Sequence, residues 1–205
     1  MVAGMNGGEA GAAPSVTVRV PRPDELAEAR ALMIRAIALD YGYDYRTTWH
    51  EDVDDPASFF LAHPRQTLLV AVDDGTGRIV GTAGVRVLRI AAPPHPAEIL
   101  ARYDRERTAE LTRVFVLPEA RRRGIGRALI DAARRWVAEV GEFDLIQFHS
   151  RTAVEFWRAM PTTEILDNRR RIGSGPEDGQ VYFEMRVPGV GPNRSDEVKQ
   201  RQEAP

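Results

Sequence analysis

Residues 110–126 read ELTRVFVLPEARRRGIG, and this stretch restricts the fold more than any other. Leu111–Leu117 has the length and apolar character of a strand, and Pro118 stops it. Gly124 opens a long helix in which Ile125, Ala128, Leu129, Ala132, Ala133, Trp136, Val137 and Val140 share one face, and Gly141 ends it. Asp144–His149 reads as the next strand. A strand, a crossover helix and a second strand require a sheet with a helix packed on its face. The start of that helix is also an anion cradle. Its first N–H groups have no intrahelical partner and carry the positive end of the helix dipole. Gly124 and Gly126 lack Cβ atoms, so a phosphate can approach the backbone, and Arg121, Arg122, Arg123 and Arg127 add mobile positive charge.

The remaining elements complete a mixed sheet. Val16, Val18 and Val20 alternate with polar residues as a first strand that Pro21 and Pro23 stop. Asp24 reads as the N-cap of a helix carrying Leu26, Ala29, Leu32, Met33 and Ala36. Asp40–Asp55 has no clear period, and 56–63 reads as a short helix before Pro64. Thr67–Val72 and Ile79–Val87 are strands joined by the hairpin turn Asp73-Asp74-Gly75-Thr76-Gly77. Ala97–Tyr103 and Thr152–Met160 have helical character, and Val181–Val187 is a last strand. The folded domain therefore spans 16–187, with flexible tails predicted at 1–15 and 188–205 from their Gly, Ala, Pro and polar residues.

Composition removes several chemistries. The 205 residues include no cysteine, which excludes disulfides, thiolate metal sites and a cysteine nucleophile. None of His50, His63, His95 and His149 has metal-ligand spacing to another, so no metal is expected. With 28 basic and 30 acidic residues the formal charge is −2, which is not that of a polycation built to coat nucleic acid. No run approaches the roughly 18–20 apolar residues of a membrane span. The first residues lack the basic and apolar regions of a secretory signal, and a cytoplasmic location is expected. The cradle has no P-loop lysine. It also departs from the dinucleotide fingerprint, because Arg127, Ala128 and Leu129 follow Gly126 without a third small residue. The interleaved aromatics of a nucleic-acid surface are absent around it.

Arg121–Gly126, RRRGIG, resembles the [QR]-x-x-G-x-[GA] signature of the GNAT acyltransferase superfamily. The preceding LTRVFVLP is similar to that family's fourth strand, and Ala153-Val154-Glu155-Phe156-Trp157 to its A-[IV]-x-[LF]-Y helix. VTVRVPRPDELAEARAL resembles its first strand and helix, and LLVAVDDGTGRIVGTAGVRV its second and third strands. The resemblance covers about residues 16–187. It implies an α/β (α+β) fold: a mixed, mostly antiparallel sheet of six to seven strands, helices on both faces and a splayed central strand pair. It implies acetyl-CoA as co-substrate, with no metal. The pantetheine arm would lie on the backbone of Val114, Phe115 and Val116, and the pyrophosphate on Arg121, Arg122, Arg123, Gly124, Ile125, Gly126 and Arg127, with Ser150 and Trp157 beside the cofactor. The expected partner is a small-molecule or peptide amine, with no nucleic acid and no membrane; a homodimer is compatible by analogy.

Direct acetyl transfer in a ternary complex needs a neutral amine and a group to take its proton. Glu110 is the first candidate base, related enzymes often carrying a carboxylate there. Strand alternation predicts that it shares a face with Thr112, Val114 and Val116. His149 is the second candidate, and the Val116 N–H is the expected donor to the oxyanion. Trp157 stands where the family's general-acid tyrosine is usual, and indole has no useful proton. Ser150 stands where an asparagine is frequent. A thiol pKa of about 8.5 lets a thiolate leave unprotonated, and Tyr41, Tyr43, Tyr45, Tyr103 or Tyr182 is available to substitute. The alternatives are a catalytically weak acyl-CoA-binding module and an arginine-patch nucleic-acid binder. Glu51, Asp52, Asp54 and Asp55 form either a solvated face or an attractor for a cationic amine, and Arg169–Arg171 either an exposed loop or a contact for an anionic acceptor.

Overall fold

The computed structural model describes residues 15–42, 44–47, 50–91, 95–169 and 179–189. Nearly all of both tails, Tyr43, Arg170 and Arg171 lie outside the described residues, as does the side chain of Tyr41.

The strands are β1 (Val16–Arg19), β2 (Thr67–Asp73), β3 (Ile79–Val87), β4 (Thr108–Val116), β5 (Leu145–Ser150), β6 (Thr163–Asp167) and β7 (Val181–Arg186). They form one sheet in the order β1-β2-β3-β4-β5-β7-β6, antiparallel throughout except for the parallel pair β4–β5. The helices are α1 (Leu26–Tyr41), α2 (Glu51–Asp54), α3 (Ala97–Arg102), α4 (Ile125–Val140) and α5 (Val154–Arg158). Helix α4 begins and ends as its sequence dictates. Gly124 and Gly141 both adopt left-handed φ, +78° and +71°, and Ile125, Leu129, Ile130, Ala133 and Val137 are buried.

Two glycines of β3 mark the two faces. A Cβ on Gly81 would stand 3.0 Å from Leu129 Cδ1 of α4, whereas one on Gly84 would stand 2.8 Å from the Phe60 ring, in the helical turn Ala57–Leu61. Trp157 of α5 packs on Phe148, with ring centroids 4.3 Å apart, on the α4 side. On the other face Ile99 and Tyr103 join Leu88, Ile90, Leu145 and Tyr182 in a second apolar cluster under α3.

The central strands separate early. β4 and β5 pair only where Thr108–Glu110 meets Leu145–Gln147. Beyond Glu110, β4 stays with β3 and β5 with β7, which leaves a wedge-shaped opening. β4 also bulges. Gly84 lies opposite Thr112 and Thr82 opposite Phe115, so Arg113 and Val114 share the single position facing Ala83. Arg113 has φ +53°. The extra residue reverses the alternation: Glu110, Thr112 and Phe115 lie on one face, and Val116, opposite Gly81, on the other. The expectation that Glu110 and Val116 share a face is corrected by this bulge.

Two smaller readings also change. Asp24 is not an N-cap. Glu25 reaches back to accept the Arg22 N–H at 2.8 Å and pairs with Arg19 at 2.7 Å, so a turn at Pro23–Glu25 precedes α1. β6 occupies a stretch without an alternating apolar pattern; it is an edge strand with largely exposed side chains. Among the described residues no helix is long and apolar enough to cross a membrane.

Candidate active site

A cleft of about 830 Å³ opens where β4 and β5 part. It gathers Glu110, Val114, Phe115, Val116, Arg121, Arg122, Gly124, Ile125, Gly126, Arg127, His149, Ser150 and Trp157, which is every predicted site residue except Arg123. The cradle loop assigns its arginines different tasks. Arg121 Nε donates to the Val116 carbonyl at 2.9 Å, and its Nη2 pairs with Asp40 of α1 at 2.8 Å. Arg123 turns away to Asp73 at 2.7 Å. Asp73 also accepts the Gly75 and Thr76 N–H groups, so Arg123 ties the loop to the β2–β3 hairpin. Arg122, itself at φ +63°, and Arg127 are exposed, line the cleft and have no ion-pair partner among the described residues. A Cβ on Gly126 would meet the Phe156 ring at 3.2 Å, so this glycine admits α5 as well as a ligand.

The ladder decides which backbone groups remain available. Leu117 donates its N–H to Val80 on β3. Alternation along an antiparallel pair then turns the Val116 N–H away from β3, toward the gap left by β5, and Phe115 back toward β3. The Val116 N–H is therefore turned toward the cleft and the Phe115 N–H toward β3. Ser150 Oγ accepts the Ala153 N–H at 3.4 Å, at the entry to α5. Trp157 is buried between Phe148 and Phe156 and forms a wall.

The polar end of the cleft lies on the α3 face. Glu110 is 1% exposed, and Arg86 grips both its oxygens at 3.0 and 2.8 Å while the Arg89 N–H donates at 3.0 Å. Burial opposes its ionisation but is outweighed by the Arg86 charge and hydrogen bonds, so its pKa falls to about 2. This carboxylate is a poor proton acceptor. His149 is held neutral instead: burial, with the charges of Arg86 and Arg113, pushes it down to about 4 against the pull of Glu110. Its Nδ1 is enclosed and has no hydrogen-bond partner among the described residues. His95, which no motif or spacing places here, lines the same end and is likewise shifted down by burial. None of the tyrosines whose side chains are described lines the cleft. Tyr45 donates to Asp54, and Tyr103 to Glu184.

Of the acidic run only Asp52 is buried. Asp52 is buried in a bidentate pair with Arg113 at 2.7 Å, Glu51 pairs with Arg89, Asp54 with Arg30, and Asp55 accepts the Ser58 N–H. Asp52 therefore buttresses the bulge of β4, while Glu51, Asp54 and Asp55 stay on an exposed face.

The histidines set a pH dependence. His50, His95 and His149 all sit below their ordinary pKa, mainly through burial. Between pH 6.5 and 4 the unfolded chain binds protons that the folded chain refuses, so stability falls as pH falls through that window. The urea midpoint at constant ionic strength is expected to drop by the equivalent of about 1–3 kcal/mol from pH 7 to pH 4. A flat profile there would contradict the burial of these rings.

Residues 31–160 match the acetyltransferase (GNAT) family model, and the chain belongs to that family of acetyl-CoA-dependent N-acetyltransferases. Solved structures agree in fold. A GNAT-family acetyltransferase from Staphylococcus aureus superposes with a TM-score of 0.62 at 15% identity, covering 84% of this chain and 99% of its own. PaiA N-acetyltransferase from Thermoplasma acidophilum, solved with coenzyme A, gives 0.58 at 14% identity, with 84% and 99% covered. A spermidine N-acetyltransferase SpeG chimera from Vibrio cholerae and hSSAT gives 0.56 at 14% identity, with 84% and 95% covered. No curated protein matches the sequence.

Proposed function

We propose that the protein transfers the acetyl group of acetyl-CoA directly to a primary amine of a small molecule or peptide, within a ternary complex. The observation that carries this reading is one continuous cleft joining the cradle at α4 to the neutral His149. The fit to a CoA phosphate rests on two arginines without an ion-pair partner among the described residues, Arg122 and Arg127, beside the left-handed Gly124 and the first N–H groups of a four-turn helix. Arg121 and Arg123 shape the loop. The Val116 N–H donates to the acetyl carbonyl oxygen as negative charge develops there. His149 takes the amine proton in preference to Glu110, whose charge is committed to Arg86. Glu110 and Arg86 instead fix the electrostatic setting of the histidine.

The acyl-CoA-binding module keeps one observation in its favour, Trp157 in the tyrosine's place. Thiol release with acetyl-CoA and a panel of spermidine, lysine and a peptide with a free N-terminus separates the two. Release above the amine-free background, with N-acetylated product in the mass spectrum, is the expected result. Acetyl-CoA binding without product from any amine would establish the module.

A further inference from the structure

Two imidazoles meet at the polar end of the cleft. The connection from β3 to α3 carries His95 to His149, with ring centroids 5.0 Å apart and planes inclined by 59°. Tyr182 fixes the first of them. It lies opposite His149 across β5 and β7, and its hydroxyl shares a hydrogen bond of 3.0 Å with His95 Nδ1. Its ring centroid is 5.7 Å from His149 and 5.9 Å from His95. His149 Nδ1 is buried without a hydrogen-bond partner among the described residues, a stability cost of the kind that functional sites retain.

We propose that His95 and His149 act as a one-proton relay for acetyl transfer, with Tyr182 as the positioning residue that holds His95. The inference rests on the acetyl-transfer reading above and adds the route of the proton. The amine nitrogen attacks the thioester carbonyl carbon and the N–C bond forms. One N–H proton passes to the imidazole pair. The C–S bond breaks with its electron pair going to sulfur, and the same proton is delivered to that sulfur. Amide and thiol leave, the pair is again neutral, and no further reactant is needed. The relay supplies at one place what Trp157 cannot supply at another.

The pair holds one proton at a time. Two charged imidazoles at this distance would repel each other, and Arg86 of β3 and Arg113 of β4 add to the repulsion. Glu110 of β4 is the counter-charge that makes the singly protonated state accessible, and Tyr182 of β7 is the remaining titratable neighbour.

Imidazole proton resonances, followed by NMR against pH in the wild type and in His95→Gln, test the coupling without any acceptor. His149 is expected to titrate at a higher pH once His95 is gone; an unmoved titration overturns the relay. Kinetics test the use. His95→Gln is expected to lower kcat about tenfold with the KM for acetyl-CoA unchanged, and adding it to His149→Gln to cost nothing more, as for groups acting as a unit. Tyr182→Phe keeps the ring packing and is expected to move the acid limb of the pH profile, which a merely structural tyrosine would leave in place. A His95→Gln protein of normal Tm whose kcat stays within twofold of wild type from pH 6 to 9 overturns the relay. If the wild type acetylates no amine, the acetyl-transfer reading fails by itself, and the NMR titration still decides whether the imidazoles are coupled.

Discussion

Reversing Arg122 and Arg127 to Glu together is expected to weaken acetyl-CoA binding at least about a hundredfold, with Tm close to wild type. Neither side chain has an ion-pair partner among the described residues, so the fold loses little. A hydrogen bond to a charged group contributes about 1.5–3 kcal/mol, and the new carboxylates would also repel the phosphates. Isothermal titration reads the loss directly; unchanged affinity would show that the phosphates do not sit in this cradle. Arg123→Glu makes the contrast. It sets a carboxylate against buried Asp73 and is expected to lower Tm, because that arginine anchors the loop to the hairpin. A sequence reading assigns all the arginines to the ligand, whereas the geometry ties Arg121 and Arg123 to the scaffold.

Arg86→Met is the variant expected to harm stability most. The side chains of Arg86 and Glu110 are 18% and 2% exposed, and removing one partner of a buried pair typically costs about 3–5 kcal/mol. The pH dependence gives a second signature. In the wild type Glu110 is ionised down to about pH 2, so its contribution is present above the ordinary carboxylate value and is lost as pH falls from about 4.5 toward 2. Without Arg86, burial opposes the ionisation of Glu110 with little more than the Arg89 N–H left to offset it. The destabilisation by Arg86→Met should therefore shrink as the medium is acidified below pH 4.5. Arg86→Met combined with Glu110→Leu should recover much of the loss, since a buried pair replaced whole is often tolerated. Urea midpoints at pH 7 and pH 3 for the wild type and the two variants decide it; an Arg86→Met protein as stable as wild type at pH 7 would rule out the charge-pair account.

The legible parts of this molecule are those whose signals are local. The α4 face, its two glycine boundaries and the β2–β3 hairpin follow from period and turn chemistry within a few residues. The bulge in β4 does not. Arg113 takes a left-handed φ because Asp52, sixty-one residues earlier, holds its guanidinium in a buried bidentate pair, and no pattern in either stretch announces the other. The acidic run at 51–55 illustrates the same limit, as composition reports its charge but not the arginines that neutralise it. His95 sits in a proline-rich connection without periodicity, and only the fold brings it to His149. Trp157 was legible as a departure, and its role as a wall needed the Phe148 contact to become apparent.

The three-residue seam between β4 and β5 has a consequence of its own. The chain before α4 builds one half-sheet and the chain after it builds the other, and few rungs of backbone connect them. The aperture between the halves is therefore governed by side-chain volume, through the Phe148–Trp157 stack and the Phe156 ring seated on Gly126. Hydrogen-bonded registers change in steps of whole residues; volumes change by single methylenes. A family built on this seam can adjust its bore by small, graded substitutions without altering its topology.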